Sequence, residues 1–111
     1  GMTLVIALNY GAQDEIVRAT RGIAADVAAG RLAADAVDDT LIAARLDTAG
    51  LPPPDLVIRT SGEQRLSNFL LWQAAYAELV FTDQLWPDFD ATSLADALAE
   101  FATRDRRYGG V

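Results

Sequence analysis

The chain has 111 residues, 51% of them apolar, and it contains no cysteine and no histidine. These absences exclude disulfides, thiolate metal sites and a histidine general base, so any catalysis would depend on carboxylates, arginines, hydroxyls, amides or a metal held by oxygen. The formal net charge of −7 argues against generic binding of nucleic acid or of an anionic membrane surface. All of the basic residues are arginines, which bind carboxylate and phosphate groups in a fork.

No stretch has the length of a transmembrane segment or the pattern of a signal peptide, and we expect a cytoplasmic location. The length suits one small domain over residues 1–111. Gly1 before Met2 is typical of a residue left by tag removal.

The N-terminal part of the sequence predicts a strand and two helices. The apolar run at residues 3–8 is typical of a strand buried on both faces, and Asn9-Tyr10-Gly11 predicts the turn after it. A helix is predicted from near Gln13 to Ala29, with Gly30 just past its end. A shorter helix is predicted from Val37 to Leu46.

The rest of the sequence predicts two more strands and two more helices. Ser67 is a candidate cap for the first of these helices. The alternation of strands and helices predicts an α/β layered domain with a mainly parallel sheet. The predicted elements are a strand at Asp55–Thr60, a helix at Ser67–Ala77, a strand at Leu79–Thr82 and a helix from near Asp90 or Thr92 to Arg107.

The loop after the second predicted strand is a candidate anion site. Arg59, Arg65 and Ser67 are expected to converge at the carboxyl end of this strand, where open α/β sheets bind ligands. Two guanidiniums, a hydroxyl and the N–H groups of a helix N-terminus suit a diphosphate. The alternative, equally favoured by spacing alone, is that the two arginines form ordinary ion pairs. Their candidate partners are Glu63, Asp55 and Glu78.

Other candidate residues have simpler explanations. Glu78, just before the third predicted strand, is a magnesium ligand, an ion-pair partner or a solvated carboxylate, and one carboxylate alone is too few for magnesium. The basic residues near the end of the chain are explained by the dipole of the preceding helix. Those residues are Arg104, Arg106 and Arg107. The aromatic residues expected in a core or an interface are Trp72, Tyr76, Phe81 and Trp86.

The sequence from Asp55 to Phe89 resembles the signature block of cis-prenyltransferases, a family that includes bacterial undecaprenyl diphosphate synthase. Asn9-Tyr10-Gly11 resembles the family's Asn-Tyr-Gly-Gly-Arg block, and Arg104–Gly110 resembles its arginine–any–glycine terminus. The chain is therefore similar to the C-terminal half of a cis-prenyltransferase. This resemblance implies a partial, mainly parallel sheet flanked by helices.

The resemblance also implies an activity and a set of site residues. The family condenses isopentenyl diphosphate onto an allylic diphosphate, such as farnesyl diphosphate, with Mg²⁺. Glu78 would share the Mg²⁺, and Arg107 with Gly109 would close over the diphosphate from the partner subunit of a homodimer. The residues implied for binding isopentenyl diphosphate are Arg59, Arg65, Leu66 and Ser67.

Two features depart from the family pattern. Ala12-Gln13 stands where the family usually has Gly-Arg. The family's Asp-Gly-Asn-Gly-Arg-Trp-Ala block, whose aspartate grips the allylic diphosphate and the metal, does not occur in this sequence. No catalytic residue is therefore assigned, and we expect the 111-residue chain alone to be inactive. The alternative function is an inactive module that binds diphosphate or dimerises.

Overall fold

The structure of the protein, a computed structural model, describes residues 2–104. Arg107 and Gly109, which the resemblance assigns to the site, lie outside the described residues. The chain divides into two compact units. The first contains Gly1–Leu51 and Asn68–Trp72, and the second contains Pro52–Ser67 and Gln73–Val111.

The first helix, α1, spans Ala12–Ala28, one residue earlier at each end than predicted. Gly30, two residues after the end of α1, has a left-handed φ of 77°. Glycine adopts this conformation at little cost because it has no Cβ. The N–H of Gly30 donates to the carbonyl of Val27 at 3.1 Å, and the N–H of Arg31 donates to that of Asp26 at 2.9 Å. This paired pattern satisfies two carbonyls at the helix end and confirms the predicted role of Gly30.

The second helix, α2, spans Asp39–Arg45, within the predicted range. It starts there because the carboxylate of Asp38 accepts the N–H of Leu41 at 2.8 Å, which is a side-chain N-cap. Arg45 of α2 reaches Asp26 of α1, with 2.6 Å between Nη2 and Oδ2. Hydrogen bonds from Arg45 and then Arg31 lower the pKa of Asp26 below its usual value. These contacts hold the two helices of the first unit together.

The strand predicted at residues 3–8 is absent, and that prediction is wrong. The segment is irregular, and its apolar side chains are exposed, Leu4 by 81% and Ile6 by 73%. A strand is stable only when its backbone groups pair with a neighbour. Within residues 2–104 the segment pairs with no other strand, so the apolar run alone does not make it one.

The second unit is built on two parallel strands, β1 at Leu56–Arg59 and β2 at Glu78–Phe81. The register pairs Leu56 with Glu78 and Arg59 with Phe81. Both strands were predicted, as was their parallel arrangement. Val80 at the centre of β2 is buried, as the apolar composition of the strand requires.

The last helix, α3, spans Ala91–Ala102 and begins at the predicted place, because the carboxylate of Asp90 accepts the N–H of Ser93 at 2.9 Å. It ends at Ala102, before the predicted end. Among its apolar residues, Leu94 and Leu98 are 43% and 48% exposed, whereas Ala97 is buried. A small residue lets a helix lie close to its neighbour. Across residues 2–104, no helix has both the length and the apolarity to cross a membrane.

The prediction of a helix at Ser67–Ala77 is also wrong. Residues 67–76 form consecutive turns and bends. Ser67, Asn68 and Leu70 have left-handed φ values of 51°, 62° and 48°. Such residues cannot belong to a right-handed helix, so Ser67 caps no helix here.

Candidate functional site

The candidate site is the segment at residues 60–67, which follows β1 and is called the site loop below. Its first turn is tied to the chain after β2, because the N–H of Ser61 donates to the carbonyl of Gln84 at 2.6 Å and that of Gly62 to the carbonyl of Thr82 at 2.9 Å. Gly62 has a φ of 71°, and a Cβ on it would lie 3.3 Å from a carboxylate oxygen of Asp83. The loop therefore leaves the strand in a turn that favours glycine.

Arg59 is the last residue of β1 and is half-buried. Within residues 2–104, Arg59 forms no ion pair with a carboxylate. The predicted alternative, in which Arg59 is committed to a neighbouring acidic residue, is therefore not seen in the described part of the chain. A guanidinium at the carboxyl end of a parallel strand is well placed for an anionic ligand.

Arg65 lies near the end of the site loop and is paired with Glu63, with 3.2 Å between Nε and Oε2. This is the ion pair of the alternative interpretation, but the Arg65 side chain is 75% exposed. Exposed pairs of this kind contribute about 0–1 kcal/mol. The pair with Glu63 therefore holds Arg65 only weakly.

Ser67 and Leu66 complete the site loop, Ser67 exposed and Leu66 half-buried. Because no helix follows Ser67, the helix N–H groups expected at this site are missing, and that part of the prediction is wrong. Within residues 2–104, no hydrogen bond joins Ser67 to Arg59 or Arg65. The structure thus places the three predicted donors on one strand end and its loop, without locking them to one another.

Glu78 lies away from the site loop. Glu78 is the first residue of β2 and pairs with Leu56, whereas Arg59 pairs with Phe81, three residues further along the strand. At 3.3 Å per residue, this offset along the strands is roughly 10 Å. Its carboxylate faces Arg104, with 3.3 Å between Oε2 and Nη1, and Arg104 also pairs with Glu100 at 2.6 Å. Glu100 chiefly, and Glu78 to a lesser extent, raise the pKa of Arg104. Among residues 2–104, no group of three or more acidic side chains could hold a metal ion.

Asn68, the residue after Ser67, is a structural residue that the sequence analysis missed. Gly11, the N-cap of α1, has no side chain to accept the first N–H groups of the helix. Asn68 accepts them instead: its carbonyl takes the N–H of Ala12 and its side-chain oxygen takes that of Gln13, both at 2.8 Å. A glycine N-cap is the sequence signal that an acceptor must come from elsewhere in the chain.

Glu15 is the second residue that the sequence analysis missed. It is only 1% exposed, and it accepts hydrogen bonds from the hydroxyl of Tyr10 and, at 2.7 Å, from the N–H of Asp47. Its position could have been found from spacing, because it lies between Ala12 and Ala19 on the buried face of α1. The carboxylate thereby joins α1 to Tyr10 just before the helix and to Asp47 just after α2.

The model of a family described as "Putative undecaprenyl diphosphate synthase" matches residues 1–109. The chain belongs to this family. Membership confirms the resemblance found in the sequence, and with it the predicted α/β fold class.

Individual relatives agree with this assignment. The chain is 62% identical over 110 residues to an isoprenyl transferase of Agrobacterium fabrum, covering 99% of this chain and 44% of that protein. It is 55% identical over 109 residues to the ditrans,polycis-undecaprenyl-diphosphate synthase ((2E,6E)-farnesyl-diphosphate specific) of Aliivibrio fischeri, covering 98% and 42%. The chain thus spans less than half the length of these relatives.

A solved structure shows the same fold. The lavandulyl diphosphate synthase of Lavandula x intermedia, crystallised in complex with dimethylallyl diphosphate, superposes with a TM-score of 0.88 at 47% identity. The likeness covers 93% of this chain and 44% of that one. The family members compared are therefore prenyl-group transferases and synthases of prenyl diphosphates by name.

Proposed function

We propose that this chain supplies the part of a cis-prenyltransferase that binds isopentenyl diphosphate, in an enzyme that makes a polyprenyl diphosphate of the undecaprenyl type. The observation that carries the proposal is the state of the two arginines at the end of β1. Within residues 2–104 Arg59 has no ion pair, and Arg65 has only an exposed one with Glu63. In a chain with a net charge of −7, two weakly committed guanidiniums on one strand end and its loop favour an anionic ligand.

In this proposal, the site loop and the end of β1 orient isopentenyl diphosphate through charge-assisted hydrogen bonds to its phosphate oxygens. Arg59 and Arg65 each offer forked N–H donors to phosphate oxygens, and the Ser67 hydroxyl offers one more. Leu66 lies between them in the loop. Holding isopentenyl diphosphate by its diphosphate places its alkene near the allylic carbon that it attacks. The group that departs is the diphosphate of the allylic substrate, to which no residue of this chain is assigned.

Mg²⁺ is part of the proposal through Glu78. The bound ion would neutralise charge on the departing diphosphate. Glu78 can supply only one ligand to the ion, because it is a single carboxylate and is also paired with Arg104. Mg²⁺ accepts one or two carboxylates together with substrate phosphates, so Glu78 would contribute one oxygen. The other protein ligands would come from outside residues 2–104.

We further propose that the protein acts as a homodimer in which Arg107 and Gly109 close over the diphosphate bound by the partner. The aromatic residues predicted for a core or an interface are exposed, which favours an interface. Tyr76 and Trp86 are the most exposed of them, and exposed aromatic side chains are common at association surfaces. The cytoplasmic location expected from the sequence remains a prediction.

The proposed function can be tested in a full-length setting. The aligned region of the Agrobacterium fabrum isoprenyl transferase is replaced by this chain, which is 62% identical to it. Incorporation of labelled isopentenyl diphosphate onto farnesyl diphosphate is then measured with Mg²⁺. We expect an active chimera whose KM for isopentenyl diphosphate rises on Arg65→Ala, since Arg65 loses its fork of donors. We expect the 111-residue chain alone to incorporate no label.

The matched control is Arg18→Ala, which removes an exposed arginine of α1 that is paired with Asp14 and Asp47. It should leave the KM for isopentenyl diphosphate unchanged. Equal KM values for the Arg65→Ala and Arg18→Ala chimeras would refute the assigned site.

The second candidate function is an inactive module that binds diphosphate or dimerises. It is favoured by the ion pair of Glu78 with Arg104, which engages the carboxylate that the resemblance assigns to the metal. The same chimera separates the two functions, because the missing block is then supplied by the relative. A chimera that binds isopentenyl diphosphate but forms no product would favour the inactive module.

A further inference from the structure

The first turn of the site loop is attached to a single residue of the neighbouring chain, Thr82, which comes directly after β2. The N–H of Thr82 donates to the carbonyl of Arg59 at 2.9 Å, and the carbonyl of Thr82 accepts the N–H of Gly62 at 2.9 Å. Thr82 therefore holds the chain both where β1 ends and where the turn ends. These two hydrogen bonds fix the start of the loop relative to the end of the strand.

The turn has a backbone conformation that residues with side chains rarely adopt. Ser61 and Gly62 follow one another with left-handed φ values of 68° and 71°. The N–H of Ser61 donates to the carbonyl of Gln84 at 2.6 Å, and the N–H of Gln84 donates to the hydroxyl of Thr82 at 3.3 Å. Each left-handed residue is thus held by its own acceptor, Ser61 by Gln84 and Gly62 by Thr82. All of these residues belong to the second unit.

Gly62 is the position at which the residue type decides the shape of the turn. A left-handed φ is strained for any residue with a Cβ, and glycine avoids this strain. A Cβ on Gly62 would also lie 3.3 Å from Oδ1 of Asp83. Because the Asp83 side chain is exposed, it can move away from such a Cβ. A change of φ at Gly62 has no such local remedy, since it redirects every residue that follows in the loop.

The residues that follow Gly62 include two of the proposed diphosphate donors, Arg65 and Ser67. Within residues 2–104, the only ion pair of the site loop is the exposed one between Arg65 and Glu63. We infer that Gly62 is a positioning residue, whose left-handed turn against Thr82 sets the direction of the loop and so places Arg65 beside the strand end that carries Arg59. This inference rests on the proposed function, since it assumes that the two arginines bind diphosphate.

The test is binding of inorganic diphosphate to the 111-residue chain, measured by titration calorimetry. Gly62→Ala should weaken binding about tenfold, because alanine must be forced back to a left-handed φ to restore the direction of the loop. Gly62→Asn should recover most of the affinity, since asparagine adopts this conformation more readily. If Gly62→Asn binds as weakly as Gly62→Ala, the conformational argument is wrong. Isopentenyl diphosphate, titrated separately, should show the same ratios between variants.

The matched control for a general loss of stability is Gly50→Ala. Gly50 also has a left-handed φ, of 86°, and a Cβ on it would have no atom within 4 Å. The change is thus the same in kind, but it lies in the first unit and outside the site loop. In urea unfolding, Gly50→Ala and Gly62→Ala should lose similar stability, whereas Gly50→Ala should bind diphosphate as the unchanged chain does.

A double-variant experiment separates positioning from a structural defect. If Gly62 acts through Arg65, Gly62→Ala should change the affinity less than about twofold in a chain that already carries Arg65→Ala. A defect that only disturbs the fold would lower the affinity by the same factor in both chains. Circular dichroism at the titration temperature checks that each variant is folded.

The outcomes separate this inference from the proposed function. If Arg65→Ala loses affinity while Gly62→Ala keeps it, the positioning role of Gly62 is wrong and the site stands. The same conclusion follows if Gly50→Ala weakens binding as much as Gly62→Ala, or if the effects of Gly62→Ala and Arg65→Ala are independent. If the unchanged chain binds no diphosphate, or Arg65→Ala binds it equally well, the proposed function fails and the inference with it.

Discussion

Replacing Glu15 with alanine should be among the most damaging single changes in the first unit. The side chain is 1% exposed and accepts hydrogen bonds from Asp47 and Tyr10. A hydrogen bond to a charged group contributes about 1.5–3 kcal/mol. Tyr10 is only half-buried and can recover water, so we take the lower end for both bonds. Glu15→Ala should therefore lower the free energy of unfolding by about 3 kcal/mol.

This value corresponds to a fall in the melting temperature of about 15 °C, at about 5 °C per kcal/mol for a chain of this size. Thermal and urea unfolding, followed by circular dichroism, measure it. Asp14→Ala is the matched control, because Asp14 lies in the same first turn of α1 but its side chain is 75% exposed in the pair with Arg18. It should change the free energy of unfolding by less than about 0.5 kcal/mol. Equal losses for the two variants would show that the buried hydrogen bonds of Glu15 contribute nothing measurable.

Three further predictions concern stability. Because Arg45 and Arg31 lower the pKa of Asp26, its contribution is complete above the unfolded value of about 3.9 and is lost as the pH falls through the lower folded value. Asp26→Asn should therefore flatten the acid limb of a plot of stability against pH, and an unchanged limb would contradict this. Asp90→Ala should lower the urea concentration at the midpoint of unfolding, because Ser93 loses its N-cap acceptor. Gly30→Ala should cost about 1–2 kcal/mol, because alanine is strained at a φ of 77°; no loss would show that the helix end readjusts.

The sequence correctly predicted the elements whose ends are marked by residues close by in the chain, such as a capping aspartate or a glycine. Helix α1 follows from its periodicity and from Gly30, and α2 and α3 begin at their aspartate caps. The strand prediction at residues 3–8 used the same signal as the one for β1, namely a short apolar run. It was correct for β1 because β2 lies beside it, and wrong for residues 3–8 because within residues 2–104 no strand does. Pairing is a tertiary property that a single segment does not encode.

The helix predicted at residues 67–77 failed for a related reason. Its apolar, alanine-containing sequence favours a helix locally, but Asn68 is committed to the start of α1 by two hydrogen bonds. These bonds hold it in a left-handed conformation that a helix cannot include. Sequence spacing could not reveal this, since the partners are separated by 55 positions in the chain.

The two halves of the site assignment depend on different levels of structure. Arg59, Arg65 and Ser67 are brought near one another by chain connectivity alone, because they lie on one strand end and its loop, and this much the sequence could predict. The position of Glu78 relative to them is set by strand register, which pairs it with Leu56 and not with Arg59. Its carboxylate is consequently near Arg104 of the chain after α3. The proposed contacts of Arg59, Arg65 and Ser67 with a diphosphate therefore come from one strand end and its loop, whereas a metal shared by Glu78 and the diphosphate needs groups that the strand register does not bring to the site loop.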